Sequence, residues 1–153
     1  MCLIVVINKQ NLIYRMSFIM SRIGPSRLID VNYKYKQIAE EFCKHYYNLY
    51  DNDFKRLSTS FHPDAQFTVK DVEICGFDNY YKFLEQHGYT KYTHHDIMVS
   101  CQPIGDSHLI LTVNGSITVS NSIFVSKFIE TLFITRNEMN RFYILSCMLK
   151  IFE

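Results

Sequence analysis

Tryptophan is absent from the 153-residue sequence, and glycine and proline are scarce, with 5 and 3 copies. This scarcity excludes a collagen-like chain, a low-complexity chain and a long linker. A disordered chain is excluded as well, because 48% of the residues are hydrophobic and only 20% are charged. The length predicts one domain, since a domain usually holds roughly 100–200 residues, and it suffices for a core that needs no metal or disulfide.

The sequence also lacks the cysteine pattern of a secreted protein. The cysteines are odd in number and form no C-x-x-C pair: Cys2, Cys43, Cys75, Cys101 and Cys147. Four of them lie within apolar segments, where a free cysteine behaves as a small hydrophobic residue. We therefore expect a reduced, intracellular protein whose cysteines fill the core and do not act as nucleophiles.

The N-terminal residues include no acid, and we expect no leader among them. The apolar run at residues 3–7 is shorter than the roughly 7–15 residues of a signal-peptide core or the roughly 20 of a membrane span. Residues 1–29 hold four basic and no acidic residues, whereas the rest holds 12 basic and 15 acidic residues. We expect 1–30 to be a flexible extension and 31–153 to be the domain. A slightly acidic body is a poor match for nucleic acid, so we expect no direct nucleic-acid binding.

Hydrophobic periodicity predicts three helices before the main sheet. The first begins at Asp30 or Asn32, and its apolar stripe follows the helical spacing: Ile38, Phe42, Tyr46 and Leu49. The second is short, covers 54–61 and ends before Pro63. Two short strands, 65–69 and 72–76, separate it from the third helix, which lies between Gly76 and Gly88.

After Gly88 the apolar period changes from 3.6 to 2, which predicts four long strands over 91–102, 107–119, 123–136 and 140–152. This order predicts an α+β domain, a cone of three N-terminal helices on a strongly curved, mainly antiparallel six-stranded sheet. The last strand is apolar on both faces, with Leu145, Cys147 and Leu149 on one and Ile144 and Met148 on the other. A strand of this kind lies between two layers. The helices are expected to form one layer and a second subunit the other.

Residues 42–53 read F-x-x-x-Y-Y-x-L-Y-D-x-D, and residues 128–133 read F-x-E-x-L-F. The first string resembles the helix-one pattern F-x-x-x-Y-Y-x-L-F/Y-D-x-D/N of the nuclear transport factor 2 family, eukaryotic transport-factor branch. The second resembles the F-x-Q-x-F strand of that family, with Glu130 in place of the glutamine. Gly76, His94 and the string 111–115 match at the expected spacing. The resemblance covers roughly 33–152. It implies the cone fold. Because this fold hosts many activities, the function has to be inferred from the residues of the site.

The resemblance implies a cofactor-free binding protein of nucleocytoplasmic transport that works as a dimer in the nucleus, the cytoplasm and the nuclear pore. Family members bind Phe-Gly peptides of nucleoporins in shallow grooves, whose walls match Phe42, Phe61 and Leu149 here. Others bind the GDP form of the small GTPase Ran through acidic residues at the cone mouth. Lys70, followed by Asp71, stands at one acidic position, and residues 120–122 replace an acidic loop with Ser-Asn-Ser. These departures count against Ran binding through the standard contacts.

Two other functions remain open from the residues. An isomerase or dehydratase would use Glu130 or Asp96 with His94 for proton transfer, and a deep cavity with Glu130 at its floor would favour it. An open groove at Phe42 and Phe61 would favour the peptide binder. The second of these alternatives is a scaffold subunit of a heterodimeric RNA-export factor. No metal site is expected, because His94 and the adjacent His95 point to opposite faces of a strand.

Overall fold

The computed structural model describes residues 25–89, 91–105, 107–119, 124–139 and 141–152, with side chains of 25–33 and 119 left out. Tyr35–Glu153 forms one compact unit. Helix α1 spans Pro25–Asn52 and thus begins earlier than Asp30 or Asn32. Proline suits the first helical turn, because its φ is fixed near the helical value and its missing N–H would have no partner there. Residues 1–24 of the predicted extension 1–30 and the loop at 120–122 lie outside the described residues.

The predicted second helix is only one turn of 3-10 helix, Arg56–Ser60. Phe61, expected at the end of that helix, instead opens strand β1, Phe61–Val69, which also contains Pro63. A register shift separates Phe61 from Gln66 in the pairing of β1. Proline is tolerated at such an irregularity because the ladder there needs no N–H donor. The described residues therefore form two α-helices, α1 and α2 (Phe77–Gln86), and not three.

The remaining strands are β2 (Val72–Cys75), β3 (Tyr92–Ile104), β4 (His108–Val119), β5 (Val125–Arg136) and β6 (Phe142–Phe152). They form one six-stranded sheet in the order β2-β1-β6-β5-β4-β3, antiparallel except for the β1–β6 pair. One face of the sheet packs on α1 and carries the buried positions of β5: Phe128, Glu130, Leu132 and Ile134. We call the opposite side the outer face. The α+β cone is thereby confirmed, with the helix count corrected.

A bulge in β6 corrects the predicted faces of the last strand. Phe133 pairs with Ser146 but Ile134 pairs with Ile144, so Leu145 is an extra residue. The bulge turns Ile144 toward α1, on the same side as the buried Cys147, while Met148 points outward and is 50% exposed. The prediction that Ile144 shares a face with Met148, and Leu145 with Cys147, is therefore wrong. A period-2 pattern does not reveal a single inserted residue.

A second bulge lies in β3 between His95 and Met98, where Asp96 has a φ of +51°. The bulge brings the β3 backbone close to Gly115 of β4. A Cβ atom added to Gly115 would lie 2.8 Å from the His95 carbonyl oxygen and 2.9 Å from Phe128 Cε1. Both contacts are shorter than van der Waals distance, so this position requires glycine.

We expect Gly115→Ala to lower the free energy of unfolding by about 1–3 kcal/mol, because the added methyl group overpacks the interior. Urea denaturation of the full chain measures the change. Ser100→Ala, at an exposed position of β3, is the control and should stay within about 0.5 kcal/mol of the wild type. Equal midpoints for Gly115→Ala and the wild type would contradict the close approach.

Candidate functional site

Glu130 lies in the middle of β5 with its side chain 1% exposed. Its Oε1 accepts a hydrogen bond from Tyr46 Oη at 3.0 Å and one from Cys147 Sγ at 3.1 Å. Its Oε2 accepts from Tyr47 Oη. The helix-one string places two neighbouring tyrosines on the face of α1 that meets the sheet, and β6 supplies the thiol. A buried carboxylate needs such donors because its desolvation is costly.

Burial, reinforced by the nearby carboxylate of Glu130, raises the pKa of the donors around it. The pKa of the Cys43 thiol rises to about 12. The pKa values of Tyr46, Tyr47 and Cys147 rise well above their ordinary values for the same two reasons, burial first. These groups therefore keep their protons at neutral pH, and Tyr46, Tyr47 and Cys147 donate theirs to Glu130. None of them is a thiolate or phenolate nucleophile under those conditions.

The interior beside Glu130 holds no room for a substrate. Eight residues line a space too narrow to admit a water molecule: Tyr50, Tyr92, His94, Ile117, Phe128, Glu130, Leu149 and Ile151. Catalysis on a small molecule needs a pocket that encloses most of its surface, typically roughly 300–1,000 Å³. The deep cavity that would favour an isomerase or dehydratase is not found here among the described residues.

His94 forms a pair with Asp51 and not with Glu130 or Asp96. Its ring Nδ1 lies 2.6 Å from Asp51 Oδ1, and its backbone N–H donates to Asp51 Oδ2 at 3.1 Å. Because a carboxylate only accepts, Nδ1 carries the proton. The His94 side chain is only 4% exposed, so it points into the interior. His95 does point outward, to Thr118 Oγ1.

An open groove lies between α1, the 3-10 helix and the start of β6. Its volume is about 490 Å³, and its lining residues are Ile38, Glu41, Phe42, His45, Thr59, Ser60, Arg141 and Phe142. A neighbouring hollow of about 420 Å³ shares Arg141 and Phe142 and includes Phe61. Sequence reasoning missed Phe142 and Arg141. The β6 bulge sets the side of the sheet on which Phe142 lies, and an unbroken alternation assigns Phe142 to the wrong face.

The other predicted site residues lie apart from this groove. Leu149 is buried beside Glu130. Lys70 and Asp71 form the β1–β2 turn with φ values of +47° and +74°, as a two-residue hairpin turn requires. The Lys70 ammonium lies 5.3 Å from the Tyr89 ring centre. The structure thus brings Phe42 and Phe61 to adjoining hollows, but not Leu149.

Within the part of the chain that the structure describes, no three His, Cys, Asp or Glu side chains are placed to hold a metal ion. No helix there is long and apolar enough to cross a membrane.

Residues 38–151 match the family model of the nuclear transport factor 2 (NTF2) domain. The chain belongs to the NTF2 domain family. No curated protein is significantly similar in sequence. The predicted resemblance to this family is confirmed.

Solved structures share the NTF2 fold at low sequence identity. Ntf2 from Cryptosporidium parvum has a TM-score of 0.68 and 20% identity over 76% of this chain and 93% of that one. A putative scytalone dehydratase from Novosphingobium aromaticivorans has a TM-score of 0.61 and 15% identity over 82% of this chain and 89% of that one. The C. albicans Mtr2–Mex67 M domain complex has a TM-score of 0.60 and 14% identity over 76% of this chain and 94% of that one. At these identities the likeness shows the fold alone, because transport proteins and a dehydratase share it.

Removing the buried carboxylate tests the donor network. We expect Glu130→Ala to lower the free energy of unfolding by about 2–5 kcal/mol, because it leaves a cavity and three buried donors unpaired. Glu130→Gln keeps the volume and one acceptor oxygen, and should cost less than half as much. Urea denaturation at neutral pH measures both variants. Equal losses for the alanine and glutamine variants would contradict the network.

Thiol labelling tests the pKa of Cys43. At pH 8.5, a pKa of about 12 in place of 9.0 lowers the thiolate fraction roughly a thousandfold. We expect iodoacetamide to alkylate the exposed Cys75 quickly and Cys43 only after denaturation, as read by peptide mass spectrometry. Because the folded thiol ionises at higher pH than the unfolded one, folding loses this contribution as pH rises from about 9 to 12. Rapid labelling of Cys43 in the folded protein would contradict the assignment.

Proposed function

We propose that this NTF2 domain is a non-enzymatic protein-binding module of nucleocytoplasmic transport, acting in the nucleus, the cytoplasm and the nuclear pore. It binds Phe-Gly peptides in the groove between α1 and β6, and it pairs with another NTF2-like chain through the outer face. The observation that carries this proposal is the groove itself, which is open and has Phe42, Phe142 and Arg141 among its lining residues.

The groove suits an aromatic anchor with a flexible backbone. Phe42 is half-buried and stacks on Tyr46 at 6.2 Å between ring centres, and Tyr46 in turn contacts Phe61. The floor of the groove is thus supported from below by the core. A peptide phenylalanine can bury its ring against such a floor at little entropic cost, since its side chain has only two rotatable bonds.

The enzymatic alternative finds less support in this geometry. A general base must reach a substrate, whereas the Glu130 carboxylate is occupied by three donors inside a filled core. Ran in its GDP form is not the proposed partner either. Lys70 stands where the resemblance implies an acidic residue, and a lysine there opposes a basic cargo surface.

Titration with a fluorescent Phe-Gly repeat peptide tests the proposal. We expect the full-length chain to bind, and Phe42→Ser to weaken binding about tenfold, or about 1.4 kcal/mol, because it removes the aromatic floor. Fluorescence anisotropy gives both dissociation constants.

Phe83→Ser is the matched control, since Phe83 is also half-buried but lies on α2, against His87. It should bind as the wild type does. A peptide with serine in place of each phenylalanine should not bind. Equal binding by the Phe42→Ser and wild-type chains would place the peptide elsewhere and contradict the proposal.

A further inference from the structure

The single 3-10 turn between α1 and β1 presents a threonine to the groove. Thr59 is exposed, and it lines both the groove and the neighbouring hollow. Its Oγ1 donates a hydrogen bond to the Arg56 carbonyl oxygen at 2.7 Å. Ser58 is exposed as well and donates to the Lys55 carbonyl oxygen at 3.0 Å, but it does not line either hollow. Thr59 therefore carries the exposed hydroxyl of this turn that borders the groove.

The residues before Thr59 have the charge pattern that basophilic protein kinases recognise. Arg56 lies three residues before the threonine and Lys55 four residues before it, and both are exposed. Arg56 Nη1 lies 3.8 Å from Asp53 Oδ2, and 73% of the Arg56 side chain is exposed. An exposed ion pair is weak, so Arg56 can exchange Asp53 for an acidic residue of a kinase. Kinases select their substrates by such charge patterns.

The turn is short enough to open without unfolding of the whole domain. Arg56–Ser60 is one turn of 3-10 helix, and its N-cap residue Lys55 makes no side-chain cap hydrogen bond. Such turns have poorer hydrogen-bond geometry than α-helices, and segments with few buried side chains open locally. Leu57 anchors the turn in the core. A kinase therefore acts on the opened segment, and the turn can close again because the modified side chain lies at the surface.

An arginine next to this turn is suited to bind a phosphate. Arg141 lines the same two hollows as Thr59. Asn137 holds the Arg141 backbone, because its Oδ1 accepts from the Arg141 N–H at 2.9 Å. Within the described part of the chain, no hydrogen bond or ion pair occupies the Arg141 guanidinium, and this group pairs with phosphate through two parallel hydrogen bonds. Of the other groups that line the groove, Glu41 repels a phosphate and His45 attracts it when protonated.

We propose that Thr59 is a phosphorylation site and that its phosphate closes the groove by pairing with Arg141. This inference rests on the proposed function, because it regulates the proposed peptide site. A kinase aspartate accepts the Thr59 hydroxyl proton, Oγ1 bonds to the γ-phosphorus of magnesium-bound ATP, and the bond from that phosphorus to the ADP oxygen breaks. The product carries a charge of about −1.5 to −2 at pH 7. The phosphate and Arg141 then cover the groove beside Phe142, where a neutral aromatic peptide would bind.

Phosphorylation of the full chain tests the acceptor residue. The probe is a calcium/calmodulin-dependent protein kinase with Mg²⁺ and ATP, since this class of kinase requires arginine three residues before the acceptor. We expect peptide mass spectrometry to find the phosphate on Thr59, and Arg56→Gln to lower the rate about tenfold by removing a charge that the kinase recognises. Ser58→Ala is the matched control and should be phosphorylated on Thr59 as the wild type is. Phosphate on Ser58 alone, or on neither residue, would overturn the inference.

Phosphorus NMR tests the pairing with Arg141 without any peptide. The second pKa of a phosphothreonine is about 6, and a guanidinium beside it favours the dianion and lowers this pKa. We expect the midpoint for the folded, phosphorylated chain to lie about 0.5 unit or more below that of the same chain in urea. Arg141→Gln should remove most of this shift, whereas Lys150→Gln, which removes an exposed charge on β6 outside the groove, should keep it. Equal midpoints for Arg141→Gln and the wild type would overturn the pairing.

Fluorescence anisotropy with the Phe-Gly peptide tests the closure of the groove. We expect the phosphorylated Ser58→Ala chain to bind the peptide about tenfold more weakly than its unphosphorylated form, or about 1.4 kcal/mol. Kinase-treated Thr59→Val should bind as untreated Thr59→Val does, and circular dichroism confirms that each variant folds. Equal or tighter binding after phosphorylation would overturn the closure. A chain that binds no peptide in either form would contradict the proposed function, and the phosphate titration then decides the inference separately.

Discussion

One buried carboxylate connects the long helix to the centre of the sheet. Glu130 accepts hydrogen bonds from two consecutive tyrosines of α1 and from a thiol of β6, so three elements meet at a single pair of oxygens. Removing a carboxylate from water costs several kcal/mol, and hydrogen bonds to a charged acceptor return roughly 1.5–3 kcal/mol each. The two terms nearly balance, and the network therefore contributes more to the position of the helix than to net stability.

Aromatic rings fill the interior around the same network. Tyr47 packs on His94 and Phe128, and Tyr46 packs on Phe61, so the space beside Glu130 admits no water molecule. The groove opens on the helix side between α1 and β6, and the outer face lies on the other side of the sheet. The proposed peptide site and the proposed pairing surface are therefore separate.

Much of the fold can be predicted from periodicity, because α1 and β4 each bury one regular face. The stripe from Ile38 to Leu49 and the alternation from Leu109 to Ile117 need no long-range information. The errors lie at Phe61, at Leu145 and at the start of α1, where one inserted residue or a tolerated proline changes the local period. The site follows the same division: Glu130 stands out by its apolar neighbours, but its tyrosine partners are 83 and 84 residues away, and the Asp51–His94 pair spans 43. Only the tertiary fold creates these contacts.

The bulge and the proline of β3 have a consequence for the state of the chain before it meets a partner. This strand is 13 residues long and forms an edge of the sheet, and a long regular edge invites open-ended growth into fibrils. The left-handed backbone at Asp96 and the missing amide at Pro103 interrupt the row of donors that an added strand would need. The edge of β3 is thereby a poor template for the addition of a further strand.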